Sequence, residues 1–406
     1  MPRLSPLREL HETAGALMRP YGPADSQAID VVEAFDLIEP EYALLRKHAV
    51  MLDQPQRGTL EVRGADRIAF LNRMLTQELK GLEAFGVRRS FWLSRKGRID
   101  ADLRLIELPD RMLVDLDYFS TVGAGERQPA SASLGSYIFS EDVRIEDQSE
   151  RWHRLAMHGP AALAVLAKRS ERVAGAGVLD LAPGGACVVR VAGHEVVADR
   201  FDSTGEIGVE LLVPVEGAEA VYGALSTLHD AASRGQGEGW DKPASDAPAR
   251  RIGWHAFNIA RVEAGTPIFF IDFGPTSLPH ETGNETLNDR VSFKKGCYLG
   301  QEVVARMQSL GHPKQKLVGL RISEGGLDSM PSTGCAVVHE SDGNREIVGA
   351  ITSSAHSPML GGATIGFAMV KYKHASPGTR LFVECDEGSP VLLAADVQPA
   401  LRFWNR

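Results

Sequence analysis

Helical and strand periods of apolar residues alternate along most of the chain, and its last quarter carries strand periods alone. Apolar positions at Leu7, Leu10, Ala14, Leu17 and Met18 predict an amphipathic helix over 5–19, ended by Pro20. Further helices are expected over 31–38 and 40–47. The stretch 58–64 alternates as a strand bounded by glycines, and Asp66 then stands as N-cap of a helix through Ile68, Phe70, Leu71 and Leu75. Strands follow at 90–93, 97–108, 112–115, 143–146 and 153–158. Gly159-Pro160 opens a helix through Leu163 and Leu166, where the missing proline N–H is harmless. Strands recur at 186–191, 195–200 and 209–213, with helices over 218–232 and through Phe257, Ile259 and Ala260.

Three stretches lack periodicity. Residues 123–136 read as a Gly/Ala/Ser/Gln loop and 231–249 as an exposed linker. Residues 272–289 form an irregular loop of a length that is often functional. Short strands at 317–322, 336–339, 347–352, 363–370 and 380–384, separated by glycine turns, predict a small antiparallel β barrel beginning after Pro313. The fold class is therefore α+β, with mixed and antiparallel sheets and a C-terminal barrel.

At 406 residues the chain is too long for one small core. A net charge of -9 argues against a mainly electrostatic nucleic-acid binder, so no direct nucleic-acid partner is expected. Cys187, Cys297, Cys335 and Cys385 stand far apart without a Cys-x-x-Cys pair, which excludes a local zinc or four-thiolate motif and fits a reducing compartment. No apolar run resembles a signal peptide or approaches the roughly 20 residues of a spanning helix, so the expectation is a cytoplasmic protein with no membrane partner. His280, His312, His339 and His356 have no neighbours at metal-ligand spacing, and no metal is expected.

Three stretches carry candidate chemistry. In Lys294-Lys295-Gly296-Cys297-Tyr298-Leu299-Gly300-Gln301-Glu302 a single thiol precedes an apparent helix start beside two ammonium groups. That setting favours the reactive thiolate; the alternative is a buried cysteine serving as a small hydrophobe. Asp100 and Asp102 share one face of a strand and are either site carboxylates or solvated edge acids. Glu210, between Val209 and Leu211, is costly to bury alone and needs either a ligand or an ion pair, with Arg200 or Arg261 as candidates.

The segment from Lys295 to Glu302 resembles the Lys-Gly-Cys-Tyr-x-Gly-Gln-Glu signature of YgfZ-type folate-binding proteins. These are relatives of the glycine-cleavage T-protein that assist iron–sulfur cluster maturation and, through it, tRNA modification. Pro6-Leu7, His11, Gly64, Asp66 and Phe70-Leu71 resemble the opening of T-proteins. Residues 97–103 resemble their Gly-Gly-x-x-Asp-Asp-Leu segment, with Ala101 in place of the first aspartate. Residues 204–210 resemble Thr-Gly-Glu-Asp-Gly-Phe-Glu, and Leu317–Leu320, Gly349–Ser353 and Ile365–Ala368 resemble the T-protein C-terminal domain. The resemblance implies a T-protein-like multi-subdomain folate-binding fold: a region 1–313, with 1–56 plus 141–313 as one subdomain and 57–140 as another, then a barrel over 314–406. It implies a tetrahydrofolate cofactor, with Glu210 gripping the pterin, Asp102 facing the folate nitrogens, and Arg261 and Tyr298 as further binding residues. Cys297 and Asp102 would be the catalytic groups. The function expected first is a tetrahydrofolate-binding accessory to iron–sulfur cluster assembly, with assembly or client proteins as partners. The alternative is an aminomethyltransferase-like one-carbon transfer enzyme. Departures from the T-protein pattern stand at Arg89, Ile106 and Ser203, where tyrosines line the T-protein pocket, and at Phe257, where an arginine stands.

Overall fold

Alternation of apolar residues along the strands builds two stacked sheets and a barrel. The computed structural model describes residues 3–22, 28–123, 127–227, 246–323, 330–341, 343–386 and 390–404. They fall into two units, one of Met1–Asn72, Leu79–Arg89 and Leu103–Phe257, the other of Arg73–Glu78, Ser90–Asp102 and Asn258–Arg406.

The first unit holds an eight-stranded mixed sheet in the order Glu171–Gly175, Ala186–Val191, His194–Arg200, Gly208–Pro214, Trp152–His158, Val50–Asp53, Ala249–Arg251, Ser226–Thr227. The last three run parallel and the others pair antiparallel. One face buries Met51, Leu155, Met157, Val189, Leu211 and Val213 against Val165 and Leu166 of helix Ala162–Lys168 and Val221 and Leu225 of helix Ala218–Leu225. The opposite face contributes Trp152, Val197 and Leu212 to a second apolar layer. It meets Ile106 and Leu113 there, from the sheet of Val87–Leu93, Ile99–Glu107, Met112–Asp117, Arg57–Arg63 and Arg144–Asp147.

The second unit contains a closed six-stranded antiparallel barrel: Gln315–Ile322, Ala363–Lys371, Asn344–Ser357, Ala336–Ser341, Arg380–Asp386 and Pro390–Val397. Closure removes the sheet edges, and Leu320, Val337, Val348, Ile351, Val370 and Val383 fill the interior. Its longest strand, Asn344–Ser357, bulges between Ile351 and Ser353.

The expected α+β class with a C-terminal antiparallel barrel is what forms; several local expectations are corrected. The helix over 5–19 is only Arg8–Thr13, and Leu17–Tyr21 pairs with Ile29–Ala34 as a two-stranded sheet. Ile29, Val31 and Val32 favour an extended backbone, so the helix expected over 31–38 is in fact this strand. Helices Ala130–Gly135 and Asn284–Arg290 occupy parts of two stretches read as loops. The helix over 218–232 ends at Leu225; the rest of it from 228, and the linker up to 245, lie outside the described residues.

Candidate functional site

Each unit carries a cluster of buried charge. In the first unit the cluster follows from alternation. Two residues beyond their positions in the second apolar layer, five strands change from apolar to ionic. Glu210 shares its face with Leu212, Arg104 with Ile106, Asp115 with Leu113, Asp199 with Val197, and Arg154 with Trp152. Asp199 and Glu210 are direct cross-strand partners, an arrangement that repels unless a cation intervenes. Arg104 supplies it: Nε lies 3.3 Å from Asp199 Oδ2 and Nη2 lies 3.5 Å from Glu210 Oε2 and 3.0 Å from Asp115 Oδ2. Arg154 reaches Asp199 and Asp115, each at 3.3 Å, and Arg57 donates to both oxygens of Asp115 at 2.7 and 3.2 Å.

Three guanidinium groups thus face three carboxylates, unequally shared. Burial opposes the charge of Asp115, but Arg154, Arg57 and Arg104 together hold its carboxyl well below the usual range. Burial pushes Asp199 and Glu210 up, against the pull of Arg104 and Arg154. Among the described residues no hydrogen bond involves Glu210 Oε2, Asp199 Oδ2, Arg104 Nε or Arg154 Nη2, although Arg104 stands at ion-pair distance from both carboxylates, and none involves Ser203 Oγ, Thr204 Oγ1 or either ring nitrogen of His158. Burial brings His158 down to about 4, so its imidazole is neutral at ordinary pH, and its ring lies 5.5 Å from that of Phe257. Buried polar atoms normally find partners. A buried carboxylate with no hydrogen bond to Oε2, in a unit that holds further unmet donors and acceptors, fits a polar, planar ligand edge that Glu210 could grip through two parallel N–H donors. Arg89 and Arg104 both lie over the Phe201 ring, at 4.3 and 5.1 Å.

The ion pair expected between Glu210 and Arg200 or Arg261 is corrected: Glu210 pairs with Arg104, while Arg200 binds Asp202 at 2.5 Å. Arg104, Arg154, Asp115 and Asp199 were not anticipated. The available signal was Arg104, at the same strand parity as Asp102 and Asp100.

Beside this cluster Asp117 is buried, accepts from Tyr21 Oη at 2.6 Å and caps helix Tyr118–Val122 by accepting from Phe119 N. Burial raises its carboxyl to about 6, with Arg57 opposing. A carboxyl raised in the folded state contributes stability at low pH that is lost as pH rises through the folded value. The shift from 3.8 to about 6 corresponds to about 3 kcal/mol. We expect wild type to lose stability to urea between about pH 4 and about pH 6, and Asp117→Asn, which keeps the cap to Phe119 N through its oxygen and can donate its NH2 to Tyr21 Oη, to flatten that loss. An unchanged slope in the variant would rule the assignment out.

In the second unit Asp102 Oδ1 accepts from Arg290 Nε at 2.7 Å, and the Arg290 guanidinium, almost fully buried, lies over the Phe91 ring. Among the described residues no hydrogen bond reaches the other oxygen of Asp102. Lys295 turns inward and donates to the carbonyls of Leu75 (2.6 Å) and Gln77 (3.0 Å), and burial lowers its ammonium to about 8. Tyr298 packs with Phe91, Leu93, Ile99, Phe269 and Phe273, and burial lifts its phenol to about 12. Gly300 adopts φ +78°, where an added Cβ would stand 2.7 Å from the Ser94 carbonyl. The segment is thus pinned at 295, 298 and 300, with Cys297 exposed between them.

Two expectations change here. Cys297 is not a small buried hydrophobe, a part that falls to Cys187, whose thiol burial raises to about 11. Nor does the thiol stand at a helix N-terminus, because helix Gln301–Leu310 begins four residues later. Arg261 is buried in a network of its own: it donates to Asp272 Oδ2 and Ser353 Oγ, each at 2.6 Å, to Asn258 Oδ1 at 2.9 Å and to the Thr266 carbonyl at 3.2 Å. Of the anticipated residues, the second unit holds Asp102, Arg261, Cys297 and Tyr298, and the first unit Glu210.

A family model described as the GCVT N-terminal domain matches residues 7–295, and one described as the glycine cleavage T-protein C-terminal barrel domain matches residues 315–400. The chain is 27% identical to a probable aminomethyltransferase of Natronomonas pharaonis, over 94% of each chain. It is 25% identical to an aminomethyltransferase of Exiguobacterium sibiricum, over 87% of each. Its fold matches the crystal structure of the glycine cleavage system aminomethyltransferase T from Bartonella henselae with a TM-score of 0.77 and 23% identity, covering 98% of this chain and 97% of that one.

Proposed function

We propose a function from the premise that this chain belongs to the glycine cleavage T-protein family: it binds tetrahydrofolate or a derivative and transfers an aminomethyl-type one-carbon unit. Of the two functions expected from the sequence, this is the one the relatives' names support. The observation that carries it is Glu210, a buried carboxylate whose Oε2 lies 3.5 Å from Arg104 Nη2 but accepts no hydrogen bond among the described residues. Such a carboxylate suits the paired N–H and NH2 donors of a pterin edge, and Arg104 keeps its charge affordable under burial.

Tetrahydrofolate, when bound, supplies the nitrogens that carry the one-carbon unit. Glu210 would hold and orient the pterin, with Asp199 and Arg154 bracing Arg104 behind it. Asp102, fixed by Arg290 through one oxygen, would use the other to orient an amine or to take up its proton. Titration calorimetry with 5-formyltetrahydrofolate tests the binding half of this reading. We expect one saturable site whose affinity falls on acidification at a pH above the ordinary Glu range, because Glu210 must be ionised to accept and its pKa is raised. Absence of binding would reject the reading.

A second reading is favoured by one observation. Cys297 is exposed on a segment held by the buried Lys295 and Tyr298 on either side, as a reactive thiol would be. On this reading the chain uses its folate site as an accessory to iron–sulfur cluster assembly or repair. One thiol cannot hold a cluster alone, so a partner protein, a second thiol or transient chemistry is required. Cells lacking the chain would then regain iron–sulfur enzyme activity with wild type but not with Cys297→Ser.

A further inference from the structure

The barrel of the second unit brings together two cysteines that are far apart in the sequence, and neither reading above uses them. Strands Ala336–Ser341 and Arg380–Asp386 pair antiparallel in an unbroken register: Ala336 faces Glu384, Val337 faces Val383 and Val338 faces Phe382. Carried one residue further, that register sets Cys335 opposite Cys385. The strand is still paired at Cys385 on its other side, where Val391 faces it. Cys335 is likewise held on its other side, where its carbonyl accepts from Ile351 N at 2.9 Å.

The two positions share one face of the barrel wall. Strand positions alternate between faces, and residues opposite one another in a ladder stand on the same face. Val337 and Val383 belong to the barrel interior, so positions 335 and 385, each two residues away, continue that interior face. Cys335 meets this expectation, being half-buried and packed against the interior cluster. Its carbonyl is turned to Ile351, away from strand Arg380–Asp386, so 335 and 385 form a non-hydrogen-bonded pair. Such pairs are the closest in an antiparallel ladder, with about 4.5 Å between Cα atoms. That separation lies within the roughly 4.4–6.8 Å that a disulfide spans. Ser332 Oγ stands 3.4 Å from Cys335 Sγ, placed to donate to a thiolate.

We propose that Cys335 and Cys385 are a redox-active thiol pair that closes to a disulfide across two barrel strands. The oxidant is a low-molecular-weight disulfide such as oxidised glutathione. The Cys335 thiolate attacks it and forms a mixed disulfide, and one glutathione leaves as a thiolate that takes up the proton lost by Cys335. The Cys385 thiolate then attacks the Cys335 sulfur, and the second glutathione leaves and takes up the proton of Cys385. Two protein thiols are oxidised and one glutathione disulfide is reduced to two thiols. The link closes a loop of about 50 residues and so restricts the unfolded chain, and excess reduced glutathione reverses it.

Peptide mapping of the folded full chain tests the pair. The chain is treated with oxidised glutathione, remaining thiols are alkylated without reduction, and trypsin releases 322–345 and 381–402, each with a single cysteine. The expected result is a species joining 322–345 to 381–402, two hydrogens lighter than the two peptides together. It should come from chain that runs as a monomer on a non-reducing gel. Separate alkylated or glutathionylated peptides, or either cysteine joined to Cys187 or Cys297 instead, would overturn the proposal. So would a joined species that forms only when the chain is oxidised in urea.

Discussion

Glu210→Gln is expected to weaken 5-formyltetrahydrofolate binding by about two orders of magnitude or more while leaving the fold intact. Two charge-assisted hydrogen bonds from a pterin edge are each worth roughly 1.5–3 kcal/mol, and the glutamine can offer only one neutral acceptor. Its amide NH2 would confront the second ligand donor with another donor. Stability should change little, because Arg104 keeps Asp115 at 3.0 Å and Asp199 at 3.3 Å as countercharges when Glu210 is neutralised. Loss of a repelling cross-strand partner for Asp199 offsets part of what Arg104 loses. Titration calorimetry, with a urea unfolding curve on the same preparation, separates the two effects. Equal affinity in wild type and variant would remove Glu210 from the site.

Arg104→Met has the opposite profile, with a large expected cost to stability. Arg104 is the residue within ion-pair distance of all three carboxylates Asp115, Asp199 and Glu210. Removing it leaves Asp199 and Glu210 facing one another across the ladder, with Arg154 still near Asp199 but no cation within ion-pair distance of Glu210 among the described residues. Breaking one side of a buried charge pair typically costs about 3–5 kcal/mol, and here the carboxylates would take up protons to lessen it. We therefore expect the variant to unfold at markedly lower urea concentration at pH 8 and to regain part of that loss at pH 5.5. A variant as stable as wild type at pH 8 would show that the cluster is solvated rather than buried.

The contrast between these substitutions reflects what a sequence can and cannot carry. The barrel was legible because short apolar strands such as 363–370, set off by glycine turns, are a local property. The edge sheet Leu17–Tyr21 with Ile29–Ala34 was not, because Leu7, Leu10, Ala14, Leu17 and Met18 happen to fit a helical stripe. Tertiary pairing overrode that period at Ala14, where helix Arg8–Thr13 ends. Glu210 and Asp102 could be singled out by resemblance, but not their partners. Arg104 and Arg290 lie 106 and 188 positions from the carboxylates they bind, and nothing local in the chain brings them together. Lys295 was misread for the same reason. In the sequence it stands beside the thiol, whereas in the fold its ammonium is spent on two carbonyls of 75 and 77.

Folate-dependent one-carbon transfer through Asp102 should not need the thiol of Cys297. Its most direct test is a single-turnover assay of one-carbon transfer from an aminomethyl donor to tetrahydrofolate, run on wild type and Cys297→Ser side by side. Product should form at equal rates from both proteins. No product from wild type, or product that disappears with the thiol, would contradict it.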